Sequence, residues 1–372
     1  MPLKRLNYLS LEDTVDSDSI ISTDKDKIRV KDYSAISVMS GLKSLYLNSD
    51  IIKDIGFIKG LPALEDLTLE DTAVISLASL SEMPALRSLT LLGNNKVQDF
   101  GPVGTATGLT SLSIDKMTSQ PDPDLSSLSG LVKLDIKGFM SISSVRGLSG
   151  LKELSIHNCN VDQADALSSL TGVERLTFYS VWNSQGNLRS LDFLKGMTGL
   201  KYADFTGNLD GTGWSGYNYL VEVYGDVSSI FNHQGLEELY LDNGKFEINF
   251  DKIKENPGLR VLSLRNMELH KNYYVESYGG MTSVWYDDVK LGEHMDILSR
   301  FPNLEELYLD SNELTDLNFA AGLKNLKRLG LKDNYITDLS PLKQAEFLEY
   351  LDIRDNPVGE VGDVGNGVEI LQ

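Results

Sequence analysis

Cysteine occurs once, at position 159, which excludes an intramolecular disulfide framework and any cysteine-based zinc cluster. Basic residues are also scarce: 34 Lys and Arg stand against 54 Asp and Glu, a formal net charge of −20. A nucleic-acid backbone or an anionic bilayer would be repelled, so neither is expected as the main partner. No run approaches 18 apolar residues, so no membrane-spanning helix is expected. The four histidines, His157, His233, His270 and His294, form no HExxH and no paired metal spacing. There is no GxxxxGK[ST] loop and no GxSxG elbow, and the glycines of DGTGWSG lack the strand and helix a dinucleotide loop needs. The aspartates of DNPVGEVGDVG do not match a calcium loop. In so acidic a chain, neighbouring carboxylates carry no signal for acid–base chemistry. The sequence therefore predicts no catalytic residue, no metal ligand and no cofactor.

What is present is a repeat. The pattern apolar-x-x-apolar-x-apolar begins at Leu6, Leu42, Leu64, Leu86, Leu109, Leu131, Leu151, Val173, Leu200, Leu236, Leu259, Leu304, Leu326 and Leu348. Most successive starts lie 20 to 23 residues apart. Within LKSLYLNSD, Leu45 and Leu47 alternate with polar residues, the period of a short strand with one face buried. Three positions past the last apolar residue stand Asn94, Asn208, Asn312, Asn334 and Asn356, where a buried amide can bond the backbone of its own turn and the next. Cys159 occupies the same position, which predicts a buried ladder residue and not a nucleophile. No single coil can bury its apolar face alone, so stability has to come from stacking.

This pattern resembles the leucine-rich repeat family, specifically the 22-residue class of bacterial internalins and of the regulatory subunit of protein phosphatase 1. The segment Leu304 to Pro357 carries the resemblance best, and the repeat runs from Leu6 to about Val361. The resemblance implies an α/β repeat solenoid: a leucine-rich repeat horseshoe of about 14 coils in one domain, 1–372, with a concave parallel β-sheet. For function it implies protein binding and little more.

Longer intervals interrupt the repeat and predict inserted loops at about 14–35, 180–198, 209–233 and 269–300. The last three hold all the tryptophans, Trp182, Trp214 and Trp285, among tyrosines, glycines and acids, a mixture suited to binding loops. The alternative is that these loops bury their own aromatics in satellite cores, as in a hairpin.

Strand alternation fixes the exposed columns. The early coils present mostly Ser and Thr there. From Leu200 onward Tyr202 and Asp204 lie beside Glu238, Tyr240 and Asp242, and Glu306, Tyr308 and Asp310 repeat that triplet. Acids beside tyrosines form a seat for Lys or Arg of a partner. Arg265, Arg328, Lys332 and Arg354 interrupt the negative field, and His157 falls on the exposed column.

The predicted function is therefore a non-catalytic protein-binding module for a basic protein partner, for example an inhibitor or immunity protein. Its partner-binding residues are Tyr202, Asp204, Trp214, Glu238, Tyr240, Asp242, Trp285, Glu306, Tyr308 and Asp310. The alternative is a surface adhesin fragment binding host protein or glycan. The acids at 12, 13, 16 and 18 stand where a secretory leader would be apolar. If Met1 is the native start the protein is expected in the cytoplasm; with a leader removed, at the surface. No Asn-x-Ser/Thr sequon occurs. The sequence leaves the oligomeric state open.

Overall fold

The computed structural model describes residues 6–12, 33–179, 191–207, 222–278, 281–359, 361, 364 and 367–372, with backbone alone for 222–225 and 272–286. The chain forms two compact units, Met1–Val173 and Glu174–Gln372.

In the first unit, each repeat start leads into a five-residue strand: β1 (Tyr8–Glu12), β2 (Ser44–Asn48), β3 (Asp66–Glu70), β4 (Ser88–Leu92), β5 (Ser111–Asp115), β6 (Lys133–Lys137) and β7 (Glu153–His157). All neighbours pair in parallel and in register, so that Leu45, Leu67, Leu89, Leu112, Leu134 and Leu154 follow one another strand by strand. Each of these leucines is at most 1% exposed. Burying one such side chain contributes roughly 2 kcal/mol, and each finds its partners only in the coils above and below.

A residue in the left-handed region turns the chain seven positions after many repeat starts: Asp71, Gly93, Gly138 and Asn158 here, and Asn243, Asn266, Ser311, Asp333 and Asp355 in the second unit. The next position carries the polar ladder. Asn94 Nδ2 donates to the Leu69 and Leu92 carbonyls (2.7 and 3.0 Å), and its Oδ1 accepts from the Thr72 N–H and hydroxyl. Cys159 performs the same task with sulfur. It accepts from the Phe139 N–H (3.3 Å) and donates to the His157 carbonyl (3.1 Å), and burial pushes its thiol up to about 12. Lys116 is a variant on this theme. Its buried Nζ donates to the carbonyls of Gln120 and Gly138 (2.8 and 2.9 Å) and pairs with Asp122 at 2.8 Å.

The second unit repeats the plan with shorter strands after β8 (Arg175–Tyr179): β9 (Tyr202–Asp204), β11 (Glu238–Tyr240), β13 (Val261–Ser263), β16 (Glu306–Tyr308), β17 (Arg328–Gly330), β18 (Tyr350–Asp352) and β19 (Glu369–Leu371). All eight form one parallel array. β19 pairs with β18 beyond the last repeat read from sequence, so the ladder has one strand more than the repeat count predicted. Asn312, Asn334 and Asn356 are its amide ladder, each donating to a carbonyl of the preceding coil (2.6–3.0 Å). Asn208 lies outside the described residues.

Two insertions of this unit, with β12 of the regular coil between them, build a second sheet from β10 (Glu222–Asp226), β12 (Lys245–Glu247), β14 (Glu268–Tyr278) and β15 (Met281–Val289), in the order β10-β12-β14-β15. The first three run parallel, whereas β14 and β15 form an antiparallel hairpin with Tyr274 opposite Trp285 along the backbone. The 269–300 insertion is thus a hairpin followed by the helical turns of Leu291–Arg300. The outer connections of both units are short 3₁₀ turns; among the described residues none is an α-helix. Phenylalanines fill the core of the second unit, with Phe178 against Phe193 and Phe205 (5.7 and 5.4 Å between centroids) and Phe231 against Phe301 (6.0 Å).

Candidate functional site

Parallel pairing in register turns equivalent positions of successive coils into columns on the exposed face of the sheet. In the second unit the first column reads Arg175, Tyr202, Glu238, Val261, Glu306, Arg328, Tyr350 and Glu369. The second reads Thr177, Asp204, Tyr240, Ser263, Tyr308, Gly330, Asp352 and Leu371. Intervening residues such as Leu239 and Leu307 are fully buried, so both columns lie on the opposite face of the sheet, where Ser263, Gly330 and Asp352 are themselves covered by their neighbours.

The three tyrosines predicted as anchors are all half-buried, and each donates its hydroxyl to a neighbouring acid. Tyr202 Oη meets Asp204 Oδ2 at 3.2 Å, Tyr240 Oη meets Glu238 Oε2 at 3.1 Å, and Tyr308 Oη meets Glu306 Oε2 at 2.6 Å. The rings of Tyr202 and Tyr240 lie 5.3 Å apart. Burial and the Asp204 charge push the Tyr202 phenol up to about 12, and burial and the Glu238 charge raise Tyr240 as well. All three phenols therefore stay protonated donors at physiological pH. Gly330 makes room for Tyr308: a Cβ at 330 would lie 2.9 Å from Tyr308 Cδ1.

The acids fall into two groups. Asp242 and Asp310 are claimed by Arg265, whose Nη1 reaches Asp242 Oδ2 at 3.1 Å and whose Nε reaches Asp310 Oδ2 at 2.7 Å. Ser263 and the Arg265 N–H donate to Asp242, and the Lys332 N–H donates to Asp310. Arg265 also lies over the Tyr308 ring (4.2 Å). Asp204, Glu238 and Glu306 have no cation within ion-pairing distance among the described residues. The structure thus brings eight of the ten predicted residues onto one face and separates them by chemistry: three open carboxylates, and two neutralised from within. Trp214 lies outside the described residues, and of Trp285 only the backbone is described.

Two arginines of this face are not among the predicted partner-binding residues: Arg175, which the sequence reading did not name, and Arg328, which it named only as interrupting the negative field. Arg175 lies over the Tyr202 ring at 3.7 Å, and Arg328 over Tyr350 at 4.2 Å. Neither has a carboxylate within ion-pairing distance among the described residues. The signal was available in the column alignment, since both stand two positions after a repeat start. At the edge of the sheet, the residues just after the repeat starts alternate in sign: Glu174, Lys201, Glu237, Arg260, Glu305, Lys327 and Glu349. Glu305 joins Arg260 and Lys327 (2.7 Å to Lys327), and Lys201 joins Glu174 at 3.0 Å. An open groove of about 810 Å³ follows this edge, with Pro257 and Phe347 as its apolar walls. In the first unit, His157 lies 3.4 Å from Asp135 on the exposed face. Among the described residues no cluster of His, Cys, Asp and Glu could hold a metal ion. No helix there is long and apolar enough to cross a membrane.

Residues 302–344 match the family model described as leucine rich repeats, two copies. A comparison with curated proteins finds no match. Among solved structures, the chain is similar to an internalin of Listeria monocytogenes (16% identity, TM-score 0.58, 99% of this chain and 87% of that one). It is also similar to a leucine-rich repeat protein of Leptospira interrogans (17%, 0.53, 90% and 91%) and to the Drosophila Toll–Spätzle complex (16%, 0.60, 87% of this chain but 41% of that one). The chain carries leucine-rich repeats and has the leucine-rich repeat fold, an α/β repeat solenoid resembling bacterial internalins, a fold that serves as a protein-interaction module.

Proposed function

We propose that the protein is a non-catalytic binding module whose partner docks on the sheet face of the second unit, around Tyr202, Tyr240 and Tyr308, and presents Lys or Arg to it. The observation that carries this reading is the set of tyrosine–carboxylate pairs. Each phenol is held by a neighbouring acid, so large amphipathic rings are presented with little entropy left to lose on binding. The same hydrogen bonds orient Asp204, Glu238 and Glu306, which have no cation within ion-pairing distance among the described residues. An incoming ammonium or guanidinium gains charge-assisted hydrogen bonds from these acids and contact with the rings. A net charge of −20 steers such a partner toward the protein. An inhibitor or immunity role against a basic protein fits this chemistry.

The test is retention of a protein from native lysate by the wild type and by a Tyr240→Ala/Tyr308→Ala variant shown to be folded by circular dichroism. Retention by the wild type alone, released by moderate salt, supports the reading. Equal retention by both, or a partner that ignores salt, rejects it.

A further inference from the structure

We infer that the segment bound on this face is extended, crosses the strands, and carries two carboxylates, one for Arg175 and one for Arg328, with a cationic side chain between them. This rests on the binding reading above and specifies the chemistry of its ligand.

Two kinds of arginine occupy the face. Arg265 and Arg354 spend their guanidinium groups on acids of their own chain, Arg354 gripping Asp352 through Nε and Nη2 at 2.9 and 2.6 Å. Among the described residues Arg175 and Arg328 have no such acid, although acids outnumber bases 54 to 34. Instead each lays its planar face on a tyrosine, at 3.7 and 4.2 Å. Stacking holds the guanidinium in place and leaves N–H groups at its edge for a planar anion. Such arginines match carboxylates, which bind them bidentately.

The spacing follows from the column. Val261 lies midway between Glu238 and Glu306, one strand from each, and is the apolar floor between two open carboxylates. Arg328 is two strands beyond Val261 and Arg175 three strands before it. At about 4.8 Å per strand these separations are roughly 10 and 14 Å, or about three and four residues of extended chain at about 3.3 Å each. The matching segment reads acid, three spacers, base, two spacers, acid. A ligand with basic charge alone would leave both stacked guanidinium groups facing like charge.

The test is affinity selection by the immobilised 372-residue chain from a library of displayed dodecapeptides with variable spacers. It contains three charge classes: acid–base–acid at the stated spacing, base alone, and the inverted base–acid–base. The wild type is expected to enrich the first class at least about tenfold over the others, the scale of one charge-assisted hydrogen-bonded pair. Arg175→Gln/Arg328→Gln should abolish that preference. Arg354→Gln, whose arginine is spent on Asp352, should keep it, and thermal melts should show all variants folded. Equal enrichment of base-only peptides by the wild type and the Arg175→Gln/Arg328→Gln variant overturns the inference while leaving the basic-partner reading intact. Enrichment of no class also overturns it, and crosslinking from position 261 to an intact protein then decides the binding reading separately.

Discussion

Arg265 and Asp310 stand 45 residues apart in the chain and meet at 2.7 Å on the face of the second unit, where the same guanidinium also reaches Asp242 at 3.1 Å. This bridge decides which acids of the face remain open to a partner. Replacing Arg265 with Ala leaves Asp242, 6% exposed, without its counter-charge. Breaking a fully buried pair costs about 3–5 kcal/mol, and partial exposure of Arg265 reduces that toward about 2 kcal/mol. Urea unfolding should show a loss of that size. Unchanged stability would mean the bridge is a surface contact of no consequence.

Gly330 is predicted to be indispensable to the shape of the same face. Gly330→Ala places a methyl 2.9 Å from the Tyr308 ring and 3.0 Å from Asp310 Oδ1, so the ring has to move off its Glu306 hydrogen bond. The expected outcome is a loss of about 1 kcal/mol in thermal stability together with weaker partner retention. Retention at the wild-type level would show that Tyr308 is not an anchor.

The hydrogen bond from Arg354 holds Asp352 below the ordinary carboxylate value. The folded state therefore binds this proton less tightly than the unfolded chain does. Its stabilising contribution is complete above the unfolded value of about 3.9 and is lost as pH falls through the lower folded value. Arg354→Ala should bring the Asp352 titration back toward that value, measured by carboxyl carbon NMR, and move the acid-unfolding midpoint to higher pH. An unmoved titration would refute the pairing.

Cys159 is expected to be inert to thiol reagents in the native protein, because its thiol is buried and pushed up to about 12. It should react only as the protein unfolds. Cys159→Ala leaves the Phe139 N–H without its acceptor, at a cost of about 1–3 kcal/mol. Rapid labelling under native conditions would contradict the ladder role.

Much of this was legible in the sequence because a repeat converts spacing into space. The period placed Leu45, Leu67 and Leu89 in one column, and the asparagine position predicted both the amide ladder and Cys159 within it. The tyrosines and acids were legible for the same reason. The partition of those acids was not, since nothing local marks Asp242 as clamped and Glu238 as open. That distinction needs Arg265 aligned with Asp242 and Asp310 across an interval of 45 residues. The second sheet was also hidden: it joins strands of two insertions through β12, a segment past the repeat pattern of its own coil. β19 was missed because GVEILQ lacks the full repeat pattern and is added by pairing with β18.

The most direct test of the central claim is site-specific photocrosslinking. A benzophenone side chain at Val261, in the middle of the proposed face, is compared with one at Thr68, on the sheet of the first unit, and one at Lys343, on an outer turn. The account predicts crosslinking of a discrete protein from position 261, suppressed by salt and by Tyr240→Ala, and none from position 343. Crosslinking of that protein from position 68 or 343 but not from 261 would contradict it.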